Sequence, residues 1–392
     1  MTRIDAAQRR ARLAVRHRLA PIALAAGPAG PVAATEAVVV LHSTDPASVF
    51  LAVQARTAGI DTAAIERALY DDRALIRMLG MRRTMFVVPV ELAPVIQASC
   101  TRAIAKVQRR RYVQLLIERG IGDDDWFRDV EDATVVALTA RGEATGAQLS
   151  TDVPKLRTQI VVADGKPYQS KQGMTTWILF SLAADGRIVR GRPRGSWTSS
   201  QWSWSPVESW LPGGIAEQPP ESASVELVRR WLAQFGPGTF ADLRWWTGWT
   251  AGQLKAALVA IEPVEVELDG GTGLVLPGDL DPVAEPDPWV ALLPALDPTA
   301  MGWSERSWYL GEHGPALFDR SGNVGPTIWS DGRIVGGWAQ RGDGEIVYRL
   351  LEDVGSDVAA VVETHVARLA AWIGPARVTP RFRTPLEREL SA

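Results

Sequence analysis

Between Glu226 and Pro277 the apolar positions fall first at helical and then at alternate spacing. Leu227, Val228, Trp231, Leu232 and Phe235 share one helical face, and Gly236-Pro237 stops that helix. Phe240 to Trp246 predicts a second short helix, broken at Thr247-Gly248. Thr250 is placed to cap a third, Ala251 to Ile261, facing inward through Leu254, Ala257, Leu258 and Ile261. Val264 to Leu268 then alternates like a half-buried strand, and Asp269-Gly270-Gly271 turns it back into Leu274 to Leu276. Three helices followed by a two-stranded ribbon predict a winged helix, a unit used most often to grip a nucleic-acid duplex.

The pattern recurs twice upstream. In the first copy, Ile4 to Leu19 reads as an amphipathic helix and the Gly-, Pro- and Ala-rich Ala23 to Ala34 as a loop. Val38 to Leu41 is a short apolar run, and Pro46 to Thr57 and Thr62 to Tyr70 predict helices. Ile76 to Leu79 and Arg83 to Val88 predict a hairpin around Gly80, followed by a long helix from Val90 to Gly120. In the second copy, Asp124 to Ala140 is helical, Thr145 caps a short helix through Leu149, and Thr175 to Ala184 is closed by Asp185-Gly186. Arg187 to Arg194 would be its wing. The tryptophan-rich stretch Trp197 to Trp210 links to the third copy, its rings serving as packing anchors. Beyond the acidic, proline-rich linker Pro277 to Pro288, five short runs read as strands: Trp289 to Leu293, Ser307 to Leu310, Thr327 to Trp329, Arg333 to Trp338 and Ile346 to Leu351. Their spacing predicts a small barrel or sandwich, with a helix from Val358 to Ile373 behind it.

Composition narrows the class. With 46% hydrophobic and 22% charged residues in 392, the chain is an ordinary globular protein with room for several domains. One cysteine, Cys100, excludes an intramolecular disulfide and fits a reducing cytoplasm. No apolar run approaches a membrane span, and the N-terminus lacks an export signal. His17, His313 and His365 lie far apart with no ligand-like spacing, so neither a metal site nor a cofactor is expected. The net charge of −3 hides strong clustering. Residues 1–20 carry six arginines against Asp5 alone; Thr101 to Arg111 carries five basic residues and no acid; Lys155 to Arg194 carries eight basic and two acidic residues. Such clusters can make a phosphate-binding surface on a formally acidic protein. On the second wing, Arg187, Arg190, Arg192 and Arg194 are the preferred phosphate contacts.

Several blocks carry a specific resemblance: Leu41 to Pro46, Met81-Arg82-Arg83-Thr84, Leu293-Pro294-Ala295-Leu296-Asp297-Pro298, Met301-Gly302-Trp303-Ser304-Glu305-Arg306, Asp331 to Gly336, and Thr379-Pro380-Arg381-Phe382. Over nearly its whole length the chain resembles the bacterial winged-helix DNA glycosylases of the AlkZ/YcaQ type. The resemblance implies an α+β fold of three tandem winged-helix units (1–122, 123–215 and 216–284) and a C-terminal small β-barrel with closing helix and tail (285–392). It also implies excision of N7-alkylated purines or unhooking of interstrand crosslinks, with double-stranded DNA as the partner. A monomer acting in the cytoplasm at the nucleoid is the matching expectation.

Active members of that family carry Gln-x-Gln or Gln-x-Asp just before an Asp-Pro. Here His42 and Thr44 occupy those positions ahead of Asp45-Pro46, and Phe86 replaces a histidine common in relatives. Asp45 is the natural N-cap for a helix opened by Pro46. Two residues apart on an extended segment, His42 and Thr44 project to one side, where they can hold a water. An N7-alkylated purine already carries positive charge, so hydrolysis needs little acid. A neutral imidazole can aim the water and accept its proton. The resemblance places Arg82 and Thr84 on the cleft wall, while Asp297 and Arg306 read as a structural ion pair in the barrel. Two further readings stand beside the glycosylase: a non-catalytic winged-helix DNA binder, as regulator or lesion sensor, and a cleft turned to a small ligand or peptide.

Overall fold

The computed structural model describes residues 1–25, 29–162 and 169–392. Asp5 accepts a hydrogen bond from the Gln8 amide (2.9 Å) and so opens the helix Ala6–Arg16. Short helices follow at Pro21–Ala25 and Pro31–Glu36, in the segment that composition marks as loop. Each starts on a proline, whose missing N–H is harmless at a first helical position; residues 26–28 lie outside the described residues. Strand β1 (Leu41–His42), the helix Pro46–Gln54, β2 (Leu75–Gly80) and β3 (Thr84–Pro89) come next. The three strands form an antiparallel sheet in the order β1-β3-β2. The long helix predicted from Val90 is built in pieces, with a wide turn at Gln97–Thr101 before Arg102–Glu118. There Thr101 Oγ1 donates to the Leu79 carbonyl (2.5 Å), tying the helix to β2.

In the second segment the helix Asp124–Arg141 leads to β4 (Ala144–Thr145), β5 (Gln159–Val162) and β6 (Ser170–Gly173), then the helix Met174–Ala184, β7 (Ile188–Pro193) and β8 (Trp202–Pro206). The arginine-rich wing is β7. Its return strand comes from the tryptophan-rich stretch, Ile188 facing Pro206 and Arg190 facing Trp204, so that stretch is more than a link. The β5–β6 hairpin has no counterpart in the sequence reading, and Lys166 of the basic count lies outside the described residues. This segment packs around a separate core that takes in the helix Arg102–Glu118, whose Tyr112 stacks on Trp177 at 4.3 Å.

The third segment follows its periodicity: helices Pro220–Phe235, Phe240–Thr247 and Ala251–Ile261, then β9 (Val264–Leu268) and β10 (Gly271–Val275) paired from Gly271–Leu268 to Val275–Val264. Thr239 with Asp242, and Thr250 with Gln253, each close a reciprocal capping box. Thr250→Ala removes one of these caps from an exposed helix start and costs about 1 kcal/mol, read as a lower urea midpoint with an unchanged slope.

The C-terminal strands β11 (Val290–Leu293), β12 (Thr327–Ser330), β13 (Arg333–Gln340) and β14 (Ile346–Leu350) pair in sequence order as an antiparallel meander. Ser307–Leu310, predicted as a strand, is instead a helical turn closed by the Leu310 amide on the Arg306 carbonyl (2.9 Å). Four apolar-looking residues are too few for periodicity to separate the two. One buried cluster runs through the first, third and C-terminal segments, from Leu41 and Phe50 through Trp231 and Phe235 to Trp303 and Trp329. Among the described residues no helix is long and apolar enough to cross a membrane.

Candidate functional site

His42 ends β1 opposite Phe86, and the Ser43 amide extends the pairing by donating to the Met85 carbonyl (2.9 Å). Asp45 caps Pro46–Gln54 through the Ala47 amide (3.2 Å), and its other oxygen accepts the Arg381 amide (3.2 Å). Burial raises the Asp45 carboxyl above its ordinary range even with these donors beside it. Residues 42–45 are therefore pinned by a strand at one end and by a helix cap and the C-terminal tail at the other. Thr44, between the pins, is half-buried.

The His42 side chain is 8% exposed and lies edge-on to Phe86, with ring centroids 5.4 Å apart. Its Nδ1 is enclosed and has no hydrogen-bond partner in the protein. Burial first, and then the charge of Arg82, push its pKa down to about 3, so the ring is neutral at pH 7. A buried polar nitrogen without a partner is rare enough to require an explanation, and catalytic sites are one place where it occurs.

Arg82 sits on the turn Met81–Arg83 joining β2 to β3. Arg82 and Arg83 both have positive φ, 52° and 60°, a conformation that costs a non-glycine residue of order 1 kcal/mol or more and clusters at functional sites. The turn aims Arg82 over the Trp245 ring (4.1 Å) and Arg83 toward Phe180 (5.5 Å). Gly248 makes the first contact possible. It closes its helix at φ 71°, and a Cβ there would come within 2.9 Å of Arg82 Cγ. Arg306 covers the same Trp245 ring at 4.9 Å. Burial and this neighbouring charge draw Arg82 down to about 10, which still leaves it cationic. One end of the 42–45 segment thus lies near Arg82, which shares the Trp245 ring with Arg306, and the other is bonded to the exposed Arg381.

A sequence model of the family described as DNA glycosylase AlkZ-like matches residues 35–372. The chain belongs to the AlkZ-like DNA glycosylase family. Its fold is similar to that of the Streptomyces sahachiroi DNA glycosylase AlkZ, with a TM-score of 0.71 at 20% identity, over 94% of this chain and 98% of that one. Among curated protein sequences there is no match.

Two of the sequence blocks that carry the AlkZ-like resemblance, Leu293 to Pro298 and Met301 to Arg306, prove to be clamps. Ala295 accepts a hydrogen bond from Ser48 Oγ (2.7 Å), and Asp297 receives Arg56 (2.7 Å) with both side chains fully enclosed. Trp303 Nε1 donates to the Phe235 carbonyl (3.1 Å), and the Ser304 and Glu305 amides donate to Asp242 (2.8 and 3.0 Å). The expected Asp297–Arg306 pair is therefore absent. Arg56, buried on the helix side, takes the carboxylate, and Arg306 lies instead over Trp245 and Phe318.

Thr84 opens β3 opposite Gly80, half-buried. The four wing arginines part company. Arg187 pairs with Asp132 (2.8 Å), Arg192 with Glu66 (2.7 Å) and Asp71 (2.9 Å), and exposed Arg194 donates to Gln148 Oε1 (3.3 Å). Arg190 turns inward over Trp204 (5.2 Å). Among the described residues no group of three His, Cys, Asp or Glu side chains is placed to hold a metal. Trp245, Arg306 and Arg381 were not singled out from sequence as site residues. Trp245 meets Arg82 and Arg381 meets Asp45 across long stretches of chain, and Arg306 arrives through Trp245, which local spacing does not encode.

Proposed function

We propose that this protein is a DNA glycosylase that hydrolyses the N-glycosidic bond of N7-alkylated purines or crosslinked bases in duplex DNA, with a water held by His42 and Thr44. The observation that carries the reading is the neutral His42 ring, without a protein partner at Nδ1, fixed at a strand end near Arg82. A nitrogen with a pKa near 3 is a poor proton acceptor but a good hydrogen-bond acceptor, so His42 aims the water as a glutamine would. Little more is needed, because the alkylated base leaves as a neutral molecule from a cationic one. The sugar's developing positive charge is stabilised by the adjacent phosphates. The proton of the attacking water is lost to solvent once the bond has formed.

In this reading the three helix-plus-hairpin segments act as winged-helix units over 1–122, 123–215 and 216–284, and the C-terminal sheet with its helices (285–392) is the barrel-like part that locks them together. Arg82, Thr84, Arg190 and Arg194 meet phosphates directly. Arg187 and Arg192 must first release their carboxylates, so they contribute less. Purified protein mixed in excess with a duplex carrying 7-methylguanine is expected to release free base and leave alkali-labile sites. Salt-dependent duplex binding without any release sinks the catalytic claim and leaves a non-catalytic lesion binder, the reading that the substituted glutamine positions favour.

A further inference from the structure

Two of the buried arginines are matched by carboxylates, Arg12 by Asp279 (2.8 Å) and Arg56 by Asp297 (2.7 Å). Arg9 has no such match and stacks alone on Trp308 (4.0 Å), whereas Arg77 is unmatched beside a second unmatched arginine. Arg77 lies on β2, 4% exposed, with its guanidinium 4.0 Å from the Trp202 ring. Its one protein acceptor is the Tyr70 hydroxyl at 3.4 Å, and its Nε and Nη2 have none. Arg190, on the adjoining β7, faces the same tryptophan at 6.0 Å and Trp204 at 5.2 Å, and its Nε is also enclosed without a partner. Burial first, and then the positive charges of Arg77 and Arg381, draw it down to about 10.

Enclosing two cations side by side with donors unmet is costly unless an anion completes the arrangement. We propose that Arg77 and Arg190, roofed by Trp202 and Trp204 with the exposed Arg381 as a charged neighbour, form a phosphate subsite between the first and second segments. Planar guanidiniums that keep Nε and Nη free offer the paired donors that phosphate oxygens accept. The cavity lined by Arg77, Arg190 and Trp204 has a volume of about 30 Å³, room for no more than a water or two, so an anion must meet the guanidiniums outside it; Arg381, the exposed cation that acts on Arg190, is the neighbour that would share it. Arg381 is bonded through its amide to Asp45, which puts the subsite next to the 42–45 segment. The phosphate is either a link of the duplex backbone, in which case the inference rests on the reading above, or free or terminal phosphate.

Two measurements on the full-length protein separate these. Thermal denaturation is followed in sodium phosphate against sodium chloride of equal ionic strength, and duplex binding is measured across a salt series, for the wild type and Arg190→Gln. A backbone phosphate predicts that Arg190→Gln flattens the plot of log affinity against log salt by about 1. Free phosphate predicts a saturable rise in wild-type Tm that Arg190→Gln lacks, with the salt slope unchanged. The exposed Arg381→Gln variant is expected to weaken whichever response the wild type gives, and replaces Arg190→Gln should that chain not fold. A wild-type Tm indifferent to phosphate together with an unaltered slope in the variants overturns the subsite. That result is distinct from loss of the glycosylase reading, which is decided by base release from alkylated duplex.

Discussion

His42→Ala is expected to lower single-turnover release of 7-methylguanine by about 10²-fold, the usual penalty for losing one positioned polar group at a reacting centre. His42→Gln is expected to stay within about tenfold of the wild type, because a hydrogen-bond acceptor is restored at the position that aims the water. The ring's pKa of about 3 adds a pH signature. Since His42 is neutral throughout, release should show no inflection near pH 6.5. An inflection there that vanishes in His42→Ala contradicts the positioning role and restores the imidazole as a base. Stability moves the other way. The folded pKa is depressed below the unfolded value, so the unfolded chain binds the extra proton and stability falls as pH drops below about 6.5. Between pH 7 and pH 5 His42 alone should account for about 2 kcal/mol of that loss. His17, lowered well below 6.5 by burial, contributes in the same direction in both proteins, so the difference between wild type and His42→Ala isolates the His42 part.

The helices of the third segment were legible because local signals mark them: Thr250 as a cap, Gly236-Pro237 and Thr247-Gly248 as stops, and five apolar residues on one face of Pro220–Phe235. The start at Pro220 and the Thr239 cap were seen only in the structure. The Asp45 cap and Pro46 were legible for the same local reason. What stayed hidden was long-range. Trp202–Pro206 looked like linker because its strand character exists only against β7, and Ser307–Leu310 looked like strand because four residues show no period. The site divides along the same line. His42 and Thr44 were found through a motif, and their setting was not. Nothing near Arg82 in sequence points to Trp245 or Arg306, and the wing's row of arginines concealed that Arg187 and Arg192 are neutralised by Asp132, Glu66 and Asp71. The misassigned Asp297 shows the same limit: an acid nine residues from an arginine is no guide to partnership once a fully buried Arg56 competes for it.

That buried pair yields the largest expected change in stability. Arg56 donates to both oxygens of Asp297 (2.9 and 2.7 Å), to the Ala52 carbonyl (2.9 Å) and to Thr299 Oγ1 (2.7 Å). Asp297 Oδ1 also accepts the Thr299 amide (2.9 Å), and the Thr299 hydroxyl meets His17 Nδ1 (2.9 Å). Asp297→Ala strands an enclosed guanidinium and should destabilise the chain by about 3–5 kcal/mol. Asp297→Asn keeps the acceptor for Thr299 and should cost less. Replacing both partners by apolar residues, Arg56→Met with Asp297→Leu, should recover most of the loss, because the penalty lies in the unpaired charge and not in the absence of the pair. Urea denaturation followed by tryptophan fluorescence reads all three. The pair also fastens the far end of Pro46–Gln54 to the C-terminal block, while Ser48 fastens its near end to Ala295. Residues 42–45 hang from that helix, so Asp297→Ala should lower base release under conditions where the protein is still mostly folded, whereas the apolar double variant should restore it. If Asp297→Ala shifts the urea midpoint by less than the equivalent of about 1 kcal/mol, the buried pair is not what holds the helix, and the proposed link from clamp to site fails with it.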